Sequence, residues 1–217
     1  ADIIRSIAVI LMVFANAAPH SPVSIFPFWL RFIFSLAAPL FIMISGMMLT
    51  LAKKRHPLVY FCKRGIFIVA VGAFVDIFIG RIIPFQHFDV LYLLGFTLPL
   101  GYIFSSFSNR ILGLSIITIL LLSWFLQNYV GYRPVPVERD LYEIFLAENF
   151  PILDFYSWVV DGWFPIFPWF AFVLVGGIAG RLDTVVFFRK GLAFKTLHSG
   201  ILLAFLGGVF WIAYPPY

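Results

Sequence analysis

Apolar residues in this chain come in long blocks, neither alternating with polar ones nor confined to one stripe. Seven such blocks are readable, at about 3–19, 33–52, 65–83, 88–107, 111–130, 163–181 and 197–214. Each is close to the roughly twenty residues that carry an α-helix across the hydrocarbon core of a bilayer. Strand-period alternation is absent, which argues against a transmembrane β-barrel. The second block is preceded by "SIFPFWLRF", whose Trp29 and Arg31 suit the headgroup level. Pro39, Gly72, Pro99, Pro168 and the Gly176–Gly177 pair fall inside blocks. A spanning helix tolerates them where neighbouring helices re-satisfy the backbone. The pattern predicts an all-α, polytopic integral-membrane helix bundle of about seven transmembrane helices.

Composition agrees. Of 217 residues, 62% are apolar, 20% aromatic and only 12% charged, and the mean hydropathy is +1.01. Soluble domains carry about 45–50% apolar and about 25% charged residues, so a water-soluble fold could not hide this much apolar surface. No polar linker divides the chain, and one domain over residues 1–217 is expected. The first block shows no basic lead and no small-residue cleavage site of a signal peptide, so it is expected to be a retained helix. A lone cysteine, Cys62, precludes an internal disulfide and reads as an inert thiol at the membrane edge.

Charge orients the blocks. Lys53, Lys54, Arg55, Lys63 and Arg64 fall between the second and third, and Arg110 between the fourth and fifth. Arg181, Arg189, Lys190 and Lys195 fall between the sixth and seventh. The 131–161 loop holds six acids against Arg133 and Arg139. A Lys/Arg excess marks cytoplasmic loops, so the N-terminus is expected in the cytoplasm and "NAAPHSP" on the outer face. The net charge of +5 thereby becomes a property of one membrane face, where anionic lipid or a phosphorylated ligand would be attracted. The aromatic residues lie in apolar helices and not among basic ones, so nucleic acid is not an expected partner.

A few polar groups call for a reason. Asp76, in "VGAFVDIFIG", would cost roughly 2.5–3.5 kcal/mol at a helix centre; it is either a tie to Arg81 or another helix, or the lining of a wet cavity. Asn16 and His20 stand four residues apart at the outer end of the first block, one helical turn and one face. They read either as an interfacial pair at a helix end or as chemistry. An imidazole titrates near pH 6.5 and serves as a general base. An amide can donate to a developing oxyanion or hold the ring. His87, Asp89 and Asp161 share that side, as acids or partners for His20 or as ordinary loop residues. His56 and His198 fall at the basic edge as interface residues. No metal-ligand spacing, phosphate-binding glycine loop or nucleophile elbow is present in the sequence, so no metal is expected.

"DIIRSIAVILMVFANAAPH" followed by "AAPLFIMISGMMLTL" resembles the opening of the heparan-α-glucosaminide N-acetyltransferase catalytic domain, with its Asp–x–x–Arg–Gly–x–Ala signature and polar end to the first helix. "CKRGIFIVAVG", "FDVLYLLGF" and "DGWFPIFPWFAFVLVGGIAGRL" are similar to its later helices, in order. Ser6 replaces the usual glycine after Arg5, and the family's ten or eleven spans exceed the seven here. The chain is then a short bacterial member, or further helices lie outside it.

The resemblance implies acetyl transfer across a membrane, bacterial or archaeal plasma membrane being the expected location. Acetyl-CoA is the implied co-substrate, taken from the cytoplasm, and the acceptor is an amino sugar or another amine or hydroxyl of the envelope. By resemblance Asn16 and His20 are catalytic, with Asp161 a candidate to orient the ring. Arg5, Lys53, Lys54, Arg55, Lys63 and Arg64 are candidate contacts for coenzyme A phosphates. From Arg5 to His20 is about 22 Å of helix at 1.5 Å per residue, a depth that a pantetheine arm could thread. A small transporter or a membrane scaffold without chemistry is the competing reading, and whether the chain forms a homodimer stays open.

Overall fold

In a computed structural model, the structure describes residues 2–17, 28–85, 89–129, 157–182 and His198. The described residues contain seven α-helices and no strand. They are α1 (Asp2–Ala17), α2 (Phe28–Ser35), α3 (Ala37–Ala52), α4 (Leu58–Val75), α5 (Val90–Phe104), α6 (Asn109–Tyr129) and α7 (Ile166–Ala179). Two π-helical turns accompany them, Asp76–Gly80 continuing α4 and Ser157–Asp161 preceding α7.

The helices and the apolar blocks do not correspond one to one. Three stretches are long and apolar enough to cross a membrane: Phe32–Ala52, which joins the end of α2 to α3; Leu58–Gly80; and Asn109–Tyr129. α5 and α7 are shorter apolar helices. The seventh block lies outside the described residues but for His198. The shortening of α5 and α7 has local causes. Asp89 caps α5, its Oδ1 accepting from the Val90 N–H at 2.6 Å, so the helix starts at Val90. Pro165 occupies the N-cap of α7 in extended conformation, and Phe167 inside that helix departs from helical angles.

Packing gives the direction of each helix. Phe14 of α1 stacks on Phe34 of α2 at 6.3 Å while α1 also lies along α3, so α1 runs antiparallel to the α2–α3 stretch. α3 and α7 run parallel. Gly46 of α3 meets the backbone of Val173, and Gly176 and Gly180 of α7 meet the backbone of Met43 and Met47. A Cβ at Gly46 or Gly176 would overlap backbone atoms of the other helix, so only glycine allows this approach. Spacing of small residues by four, Gly46 with Thr50 and Gly176 with Gly180, is the pattern by which membrane helices pack without a hydrophobic driving force. α4 and α5 run antiparallel through Gly65 and Gly95, with Phe61 against Tyr102 and Gly72 against Tyr92.

The core is built from Ile42, Tyr92, Leu93, Leu112, Phe170 and Leu174. Outward faces of α4 and α6 expose Ile66, Phe67, Phe74, Leu114, Leu121 and Trp124. Large aliphatic and aromatic side chains turned outward along apolar helices suit contact with lipid.

Candidate active site

Antiparallel succession gives the bundle two chemically different ends. At one lie the C-termini of α3, α5 and α7 and the N-termini of α4 and α6. Here Lys53 Nζ donates to the Tyr102 carbonyl at 3.1 Å and to Ser106 Oγ at 2.6 Å, and sits over the Tyr102 ring at 4.6 Å. Arg181, just beyond α7, donates from one terminal nitrogen to the Phe107 carbonyl and Asn109 Oδ1, both at 2.7 Å. Its other terminal nitrogen reaches the Ser105 carbonyl at 2.8 Å. Burial lowers the Lys53 pKa from its ordinary 10.5, and the nearby Arg181 guanidinium lowers it further. One role of the pair is plain: cations satisfy the orphan carbonyls and the negative dipole end of α5.

The other expected donor contacts gather at the same end. Lys54 and Arg55 are exposed in the turn after α3, and Lys63 and Arg64 are exposed in the first turns of α4. Arg64 reaches Tyr60 Oη at 3.3 Å, and the His56 ring stacks on Tyr60 at 4.1 Å. Arg5 lies on α1 towards this end, its side chain outside the described residues. In the sequence Arg181 reads only as one of the charges that orient the helices. What it shares with Lys53 depends on α3 and α7 being parallel, and the paired small-residue spacings were the available signal. A narrow crevice between α3, α5, α6 and α7 adjoins the pair, lined by Gly46, Thr50, Gly101, Ser105 and Gly177 among others.

The opposite end holds the C-terminus of α1, the start of α5, and both π-helical turns. Asn16 is in the last turn of α1 and Asp161 closes the second π-helical turn, their side chains outside the described residues. His20 and His87 lie wholly outside them. A buried pair occupies this end. Asp76 is 8% exposed and Tyr92 fully buried, and Tyr92 Oη donates to Asp76 Oδ2 at 2.5 Å. Tyr92 Oη in turn accepts from the Phe85 N–H at 3.4 Å, and Trp158 Nε1 donates to the Phe85 carbonyl at 2.8 Å. Asp76 is therefore a polar tie between α4 and α5. Among the described residues, no group of three or more His, Cys, Asp or Glu is placed to hold a metal.

The chain matches the heparan-alpha-glucosaminide N-acetyltransferase catalytic family over residues 1–209. It belongs to that family. No curated protein and no solved structure matches it. Membership covers nearly the whole chain, both ends of the bundle included, and makes the protein a membrane acetyltransferase relative. Three apolar helices of spanning length agree with a membrane location.

Proposed function

We propose that the chain is an integral-membrane acetyltransferase that takes the acetyl group of cytoplasmic acetyl-CoA and passes it to an amino sugar or other envelope glycan on the far side. Membership of the acetyltransferase family over residues 1–209 carries this reading. The two-ended bundle supports it. The cationic end suits a donor bearing phosphates. Lys53 has three donors and Arg181 five; with two and three of them used as described above, one lysine donor and two arginine donors remain for an anion. Lys54, Arg55, Lys63 and Arg64 are exposed at the same end, and Arg5 would meet the arm on its way through.

At the far end, the acceptor nitrogen or oxygen attacks the thioester carbonyl carbon while His20 takes its proton. Asn16 donates to the oxyanion of the tetrahedral intermediate. Collapse breaks the carbon–sulfur bond, and the departing thiolate takes up the proton held by the imidazolium. Asp161 orients the ring. In a two-step variant, the imidazole nitrogen carries the acetyl group between donor and acceptor.

Donor binding is the first test. A ligand at about one hundred times its Kd stabilises by about 2.7 kcal/mol, so acetyl-CoA and CoA should both raise the melting temperature of the detergent-purified chain. No shift with either, at millimolar concentration, would remove the proposal.

A further inference from the structure

The end assigned to the acceptor contains an unusual piece of backbone. Arg81 and Phe85 both have positive φ, 55° and 69°, and neither is glycine. Such conformations are strained for a residue with a Cβ and persist where the surroundings over-determine them. Phe85 is held by two side chains. Its N–H donates to Tyr92 Oη, its carbonyl accepts from Trp158 Nε1, and its ring packs on Tyr92 at 4.9 Å and on Trp158 at 5.6 Å. Behind Tyr92 stands Asp76, the first residue of the π-helical turn whose carbonyl accepts from Arg81 and Ile82. Trp158 belongs to the other π-helical turn. π-Helical turns are rare, and are frequent at functional sites.

A single chain of contacts, Asp76 to Tyr92 to Phe85 to Trp158, thus couples the two π-helical turns and the bend between them. In sequence, Phe85 precedes His87 by two residues and Trp158 precedes Asp161 by three. We infer that Asp76 and Tyr92 are positioning residues for the acceptor side of the bundle, fixing the 81–85 bend against the 157–161 turn from beneath. Neither is among the groups to which the proposed reaction gives a chemical role. They act through Phe85 and Trp158, with the buried Asp76 carboxylate accepting from the tyrosine hydroxyl near the end of a membrane helix. This inference rests on the acetyltransfer reading for its functional consequence, while the coupling of the two turns stands apart from it.

The test uses the full chain in detergent with three variants. Tyr92→Phe removes one hydroxyl and leaves the ring in the core. Asp76→Asn keeps an acceptor for the tyrosine, and Asp76→Leu removes it. Tyr92→Phe and Asp76→Leu should lower kcat for acetyl transfer by about tenfold or more, with the Kd for CoA unchanged, and Asp76→Asn should restore most of the loss. Amide hydrogen exchange should quicken in peptides covering 81–85 and 157–161 together in the two damaging variants. Full activity in Tyr92→Phe, or a parallel loss of CoA affinity and turnover, overturns the positioning role. Exchange that quickens at 81–85 but not at 157–161 overturns the coupling, whether or not the chain transfers acetyl groups. If Tyr92→Phe does not fold, the contrast between Asp76→Asn and Asp76→Leu decides the matter. A wild-type chain that binds no CoA and transfers nothing counts against the acetyltransferase and leaves the coupling to the exchange result.

Discussion

At the scale of single residues, the account makes Asn16 and His20 separable from the donor contacts. His20→Ala should lower acetyl transfer by about a hundredfold or more, and Asn16→Ala by about a hundredfold, with the melting-temperature shift from CoA retained in both. Loss of that shift would place them in donor binding instead. Lys53 offers a pH test. Its folded pKa is depressed by burial first and by Arg181 second, so below that value the protonated amine opposes folding. As pH rises through the window between the lowered value and 10.5, the folded state sheds its proton first and the chain gains stability. Arg181→Gln should return the Lys53 pKa towards 10.5 in ¹³C NMR of reductively methylated protein, and phosphate binding beside the amine should move it the same way. A pKa unmoved by Arg181→Gln would mean that the guanidinium does not sense the amine. The basic cluster that contains Lys53 was legible from the run "LAKKRHP" alone. Its partnership with Arg181 was not, because 128 residues separate them and only the parallel pairing of α3 with α7 closes the gap.

At the scale of elements, glycines divide into those that permit helix contact and those that do not. Gly46 and Gly176 lie against the opposing backbone, whereas nothing stands within 4 Å of a Cβ built at Gly113 of α6. Gly176→Leu should leave little folded, monodisperse protein on size-exclusion chromatography, because the obstacle is backbone and cannot rotate away. Gly113→Ala should raise stability by about 0.5–1 kcal/mol, the ordinary helix gain over glycine, seen as a higher melting temperature. Equal behaviour of the two variants would contradict the α3–α7 contact. Hydropathy located the middles of six helical stretches, since apolar length is a property of local sequence. It did not locate their ends. Asp89 and Pro165 set the starts of α5 and α7 through capping and backbone geometry, and the π-helical turn after α4 opens on Asp76, which meets Tyr92 across helices.

At the scale of the whole molecule, alternating helix directions separate a cationic end from one built around a buried acid and tyrosine. The charge-bearing loops foretold the first end, and Lys53, Arg64 and Arg181 share it. The ordered set of motifs, from "DIIRSIAVILMVFANAAPH" to "DGWFPIFPWFAFVLVGGIAGRL", foretold the family. The second end was legible only as scattered residues, because Asp76, Tyr92, Phe85 and Trp158 become one network through tertiary contact. The account needs an acetyl group to enter at one end and leave at the other. Its most direct test is to incubate the purified chain with acetyl-CoA labelled in the acetyl group and a panel of amino sugars and envelope glycans. The account predicts label on an acceptor with stoichiometric release of CoA, lowered about a hundredfold or more by His20→Ala. Absence of labelled product and of CoA release from a folded, CoA-binding chain would contradict it.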